Sequence, residues 1–149
     1  MNPALATTFD QTAIFQPFAA LLLLTLAVWV YLYIRRLSYM YAHRIDPQRF
    51  TTPDKVSAAL AEAVQYPAYN LRNLSELPIL FYALCLALFV LNRVDATYLE
   101  LAWAFVGFRA LHSAVHCTFN RVKLRFTFYL LASIALWIMT VRFALSVFA

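Results

Sequence analysis

The chain has 149 residues, of which 64% are hydrophobic and 13% charged, against roughly 45–50% and about 25% in a typical soluble domain. That balance excludes a water-soluble globule. Its single glycine excludes collagen-like, Gly-rich linker and phosphate-loop architectures, and its net charge of +5 includes no run of five basic residues, which argues against a nucleic-acid arm.

Four apolar segments follow in order. Ile14 to Ile34 is free of charge and ends at Arg35-Arg36, predicting a first spanning helix over about residues 11–36. The connection 37–68 is long. Within it, Thr52 reads as an N-cap, Pro53 as the first helical position and Asp54 as a first-turn acid. Val56, Leu60, Ala63 and Val64 then recur at helical spacing, an amphipathic lead-in that Pro67 is expected to kink or briefly break. A second helix is predicted over 69–91, with Arg72, Asn73 and Glu76 in its opening turns. A third, over 97–117, carries Glu100, Arg109, His112 and His116. The fourth, over 125–147, carries Arg142 near its end, where a long cation can snorkel. These segments are too long and too irregular for barrel strands, and the two short connections make successive helices antiparallel neighbours. The fold class expected is all-α: a single integral membrane domain over 1–149 built as a four-helix bundle.

Cations set the orientation. Arg35, Arg36, Arg44, Arg49 and Lys55 flank the first connection, and Arg121, Lys123 and Arg125 flank the third, whereas Arg93 stands alone on the opposite side. The positive-inside rule then puts both termini outside the cytoplasm. The start Met1-Asn2-Pro3 lacks the basic residues of a secretory signal. Cys85 and Cys117 are predicted at opposite membrane depths, so they are not expected to pair.

Ionisable groups inside spanning helices mark function by default. Opposite helix directions bring Arg72, Asn73 and Glu76 to the same cytoplasmic half as Arg109, His112 and His116. Arg109, His112, His116 and Asn120 fall within roughly 80° on a helical wheel. One reading is a buried ion pair between Glu76 and Arg72 or Arg109. The other is an anion site, because Arg72, Arg109 and nearby Arg125 surround a single glutamate and surplus buried cations call for an anionic partner. His112 and His116 have the i, i+4 spacing of a metal pair, but further ligands run short and no metal site is assigned. No nucleophile elbow or Ser-His-Asp pattern occurs. Cys117 is either a reactive thiol or a buried spectator. Tyr129, one turn after Arg125, is placed to reach the same zone.

The run Arg72-Asn73-Leu74-Ser75-Glu76-Leu77-Pro78 resembles the second-helix signature of the membrane-associated proteins in eicosanoid and glutathione metabolism, the MAPEG superfamily. Arg109-Ala110-Leu111-His112-Ser113-Ala114-Val115-His116, followed by Arg125, is similar in spacing to its prostaglandin E synthase branch. The resemblance implies a homotrimer with glutathione held in a cytoplasm-facing cleft between neighbours. By position it implies that Arg72, Asn73, Glu76, Arg109 and His112 belong to the glutathione site, and that Arg125 stabilises the glutathione thiolate. Tyr69 stands where glutathione-using members often have arginine, and His116 and the early Pro78 depart from the eicosanoid enzymes; together they argue against a dedicated eicosanoid synthase.

The function expected is a membrane-bound glutathione-dependent transferase or peroxidase acting on hydrophobic electrophiles that arrive from the lipid bilayer. Arg125 is the expected catalytic residue, with Arg72, Asn73, Glu76, Arg109, His112 and Tyr129 binding glutathione. The alternative is a non-catalytic lipid-binding or scaffold protein of the same fold. No nucleic acid partner is expected. A transporter is disfavoured, since the two halves show no inverted symmetry.

Overall fold

The structure is a computed structural model that describes residues 9–148, except the side chains of Arg49, Pro53 and Ser57. The start Met1-Asn2-Pro3, read as lacking the basic residues of a secretory signal, lies outside the described residues. All regular elements described are helical: α1 (Phe15–Ala42), α2 (Pro53–Ala59), α3 (Glu62–Leu74), α4 (Leu77–Val90), α5 (Ala96–Cys117) and α6 (Val122–Phe148), with 3-10 turns at Gln11–Ile14 and Pro47–Arg49.

α1 runs beyond the expected boundary at residue 36, because neither glycine nor proline occurs between there and Pro47. It closes where Ile45 N donates to Met40 O at 3.0 Å and Arg44 N to Tyr41 O at 3.3 Å, with Arg44 in the left-handed region at φ 51°. α4 closes the same way: Arg93 N donates to Leu88 O at 2.9 Å and Asn92 N to Phe89 O at 3.1 Å, with Asn92 at φ 52°. This is a Schellman closure, a place where glycine is usual. The chain's only glycine, Gly107, lies instead on the exposed face of α5, so arginine and asparagine take the left-handed positions.

Thr52 caps α2, its hydroxyl accepting from Lys55 N at 3.5 Å. The lead-in is two helices rather than one, since Leu60 leaves the helical region at ψ 140°. Pro67 does not break α3. Its missing N–H frees the carbonyl of Ala63, and Arg35 of α1 donates Nη2 to that carbonyl at 3.1 Å. The break falls later, at Ser75 and Glu76, where Glu76 adopts φ -101° and ψ -100°. Pro78 explains it. A proline ring collides with the carbonyl four residues back, which is that of Leu74, the last residue of α3.

Among the described residues three helical stretches are long and apolar enough to cross a membrane: Gln11–Ala42, Glu62–Val90 (α3 with α4) and Val122–Phe148. α5, at 22 residues, is long enough at about 1.5 Å per residue but less apolar, because it carries the buried Arg109, His112 and His116. α6 folds back on α5, and α1 lies against α3 and α5. Phe81 of α4 stacks on Phe105 of α5 with ring centroids 4.7 Å apart, beside fully buried Leu88, Ala102, Leu136 and Met139. Phe15 meets Phe89, and Phe18 meets Tyr82, both edge-on at 4.8 Å. The outer faces are as apolar as this core: Leu23, Val90 and Leu145 are each more than 60% exposed. Such a surface suits lipid, where close packing and hydrogen bonds rather than water exclusion hold helices together.

Candidate functional site

α5 supplies the centre of the polar cluster. Arg109, His112 and His116 are spaced three and four apart and share a buried face, with exposures of 0%, 3% and 1%. Arg109 Nη2 donates to the backbone carbonyl of Asn73 at 2.8 Å. That carbonyl belongs to the last turn of α3, where regular helix bonding ends; it takes a long bond from Glu76 N at 3.4 Å, and its second lone pair serves Arg109. The guanidinium also lies over the Tyr129 ring, 5.7 Å from its centroid. Its Nε and Nη1 are buried without a partner.

α6 supplies Arg125 in its first turn. Arg125 Nη1 donates to His116 Nε2 at 2.9 Å and to Asn120 Oδ1 at 2.6 Å. Asn120 sits in the tight α5–α6 turn in the left-handed region, φ 47°, and its N–H donates to Val115 O at 2.8 Å. Asparagine tolerates that conformation better than most residues. His112 Nδ1 pairs with the Arg125 carbonyl at 2.8 Å. A carbonyl only accepts, so this nitrogen carries the proton. The His112 ring lies 5.4 Å from that of His116 and 5.9 Å from that of Tyr129.

Both arginines are thus held by neutral groups: a backbone carbonyl, an imidazole nitrogen, an amide oxygen and a phenol ring. Among the described residues no carboxylate forms an ion pair with either, the one ion pair being Arg142 with Asp95. Two cations fixed in place without an ion-paired carboxylate among the described residues make a preorganised anion-binding arrangement.

The MAPEG family model matches residues 14–145. The chain belongs to the MAPEG family. Comparisons with curated proteins and with solved structures give no match. Family membership and the three apolar spans make it a multi-pass integral membrane protein, and membership points to glutathione-related transfer or peroxidase chemistry or to eicosanoid metabolism.

Among the residues expected at the site of this MAPEG chain, Arg109, His112, Arg125 and Tyr129 come together around α5 and α6, and Asn73 joins them through its backbone. The Asn73 side chain turns instead to its own helix, Nδ2 donating to Tyr69 O at 3.2 Å. Arg72 and Glu76 are exposed, and the ion pair considered between Glu76 and Arg72 or Arg109 does not form among the described residues. Arg142 does more than snorkel. Its two terminal nitrogens grip both Asp95 oxygens at 2.8 and 2.6 Å, and it covers the Tyr98 ring at 4.2 Å.

Sequence reading missed a second polar layer. Ser113 Oγ donates to Asn70 Oδ1 at 3.3 Å, and Asn70 Nδ2 reaches Cys117 Sγ at 3.5 Å, linking α3 to α5. A buried asparagine and serine in apolar helices are a usual signal of interhelical bonding. Cys117 is buried and unpaired, as is Cys85. Among the described residues no three metal-binding side chains converge.

Proposed function

We propose that this MAPEG chain is a membrane-bound glutathione-dependent transferase or peroxidase for hydrophobic electrophiles. It works as a homotrimer of four-helix subunits with both termini outside the cytoplasm. The observation that carries the reading is the pair Arg109 and Arg125, each held by neutral acceptors and ion-paired with no carboxylate among the described residues. Glutathione fits that donor set by charge. It brings two carboxylates and a thiol that ionises, and the unpartnered Arg109 Nε and Nη1 are donors suited to a carboxylate.

In this reading Arg109, Arg72, His112 and Tyr129 bind the peptide, and exposed Glu76 takes its ammonium, with Asn73 aligning Arg109. Arg125 is the cation beside sulfur. A fixed positive charge lowers a thiol pKa from about 8.5 and raises the thiolate fraction at neutral pH. The thiolate then forms its bond to an electrophilic carbon arriving from the bilayer, whose leaving group departs with the electron pair.

The closure of the cluster favours a second reading: Arg109, His112 and His116 are all nearly inaccessible within one chain, as suits a polar core that only joins helices in a lipid-binding or scaffold protein. A thermal-shift titration of the purified protein with millimolar glutathione separates the two. The catalytic reading expects a rise in melting temperature that grows with concentration and turnover of chlorodinitrobenzene; no shift and no turnover favour the scaffold.

A further inference from the structure

His116 lacks an assigned role, and its geometry gives it one. A guanidinium donates and never accepts, so in the 2.9 Å contact with Arg125 Nη1 the acceptor is the His116 Nε2 lone pair. The neutral ring therefore carries its proton on Nδ1, and that atom is buried without a partner. The bond to Arg125 is the one hydrogen bond this ring makes among the described residues. The other acceptor for Arg125 Nη1, Asn120 Oδ1, cannot titrate.

We propose that His116 is the positioning residue of Arg125: only its neutral imidazole accepts from the guanidinium, so protonation of His116 releases Arg125 from its catalytic position. This rests on the reading of Arg125 as the thiolate-stabilising cation. A protonated imidazole has two N–H donors and no acceptor, and it would face Arg125 as a second cation. The ionisable groups acting on the ring are Arg109 and His112 from its own helix and Arg125 from α6. Among the described residues α1 and α3, which also pack against α5, bring no further charge to bear on it. Among the described residues no anionic group acts on the ring to take up the added proton's charge. Acid therefore breaks this contact and leaves the Asn120 bond as the remaining tether.

The test uses the full-length protein in detergent and compares wild type, H116Q and H116L. Glutamine supplies an acceptor oxygen that does not titrate; leucine supplies none. With glutathione and chlorodinitrobenzene, the wild-type kcat should fall on acidification with the loss of two protons' worth of slope, one from the thiol and one from His116. H116Q should fall with one, and should retain kcat within about threefold above neutral pH. H116L should lose about tenfold in kcat or more at every pH, with KM for glutathione changed far less. Superimposable profiles for wild type and H116Q, or full activity in H116L, overturn the proposal.

A second readout is independent of turnover. In nitrogen-15 spectra the Arg125 side-chain resonances of the wild type should titrate together with the His116 ring, and in H116Q they should stay put. Arg125 resonances indifferent to His116 titration overturn the positioning role even if glutathione proves not to be a substrate. Coupled titration without any glutathione turnover upholds the contact and instead overturns the transferase reading.

Discussion

Arg109 is anchored to Asn73 through the backbone: its Nη2 donates to the Asn73 carbonyl at 2.8 Å, an acceptor that, where α3 stops before Pro78, carries only a long 3.4 Å bond from Glu76 N. Pro78→Ala restores the N–H that a continuous helix needs and lets the Leu77 N–H compete for the same carbonyl. An orphaned buried donor costs about 1–3 kcal/mol, and more when charged, against a gain of one ordinary helix turn. The variant should melt lower by about 2–8 °C and show a smaller glutathione-induced thermal shift. An unchanged or raised melting temperature would show that the break does not serve Arg109.

Arg125→Ala removes the cation assigned to sulfur. It should lower kcat for chlorodinitrobenzene by about 10²–10³-fold, by analogy with deletion of one donor to a developing oxyanion, while glutathione affinity falls far less. Arg125→Lys keeps the charge but on a shorter head that does not set a nitrogen where Nη1 meets both His116 and Asn120, and should recover part of the rate. Stopped-flow turnover alongside thermal-shift affinity separates the two quantities, and equal losses in both would sink the thiolate role.

What could be read before folding was the side-chain chemistry, and what could not was the backbone's share in it. Arg109, His112 and His116 are legible because a 3.6-residue period puts them on one face, and Arg125 with Tyr129 because one helical turn separates them. Glu76 and Arg72 read as cluster members by their spacing on one helix; both are exposed, Arg72 within α3 and Glu76 at the break that follows it. The acceptors for Arg109 and His112 are main-chain carbonyls, which no residue type announces. Pro67 and Pro78 show the same limit. Each bars a helix bond, yet only Pro78 ends a helix, because at Pro67 an arginine from another helix satisfies the freed carbonyl.

That substitution of partners can be measured. Arg35→Met removes the donor to Ala63 O, a site open to water, so the loss should be under about 1 kcal/mol, the lower part of the range for one hydrogen bond. Pro67→Ala supplies a backbone N–H to the same carbonyl. In a double-mutant cycle, Arg35→Met should destabilise the wild-type background more than the Pro67→Ala background. Strict additivity would mean that Arg35 does not stand in for the missing N–H.

At the opposite end of the helices, Asp95 caps α5, accepting from Tyr98 N at 3.0 Å, and binds Arg142 through both oxygens. The Arg142 hydrogen bonds, with help from backbone N–H groups, hold the Asp95 carboxyl below its ordinary value. A depressed folded pKa means that the ion pair stabilises fully above the unfolded carboxylate pKa of about 3.9. That stabilisation is lost as pH falls from there through the folded value. Both side chains are about two-fifths exposed, 40% and 43%, so the pair contributes less than about 1 kcal/mol. Asp95→Asn keeps an oxygen for the cap and removes the charge. Wild type should therefore melt about 1–4 °C above Asp95→Asn at neutral pH, with the gap closing as pH drops below about 3.9 and shrinking in about 1 M salt. A gap that persists undiminished in strong acid would show that the ion pair is not its source.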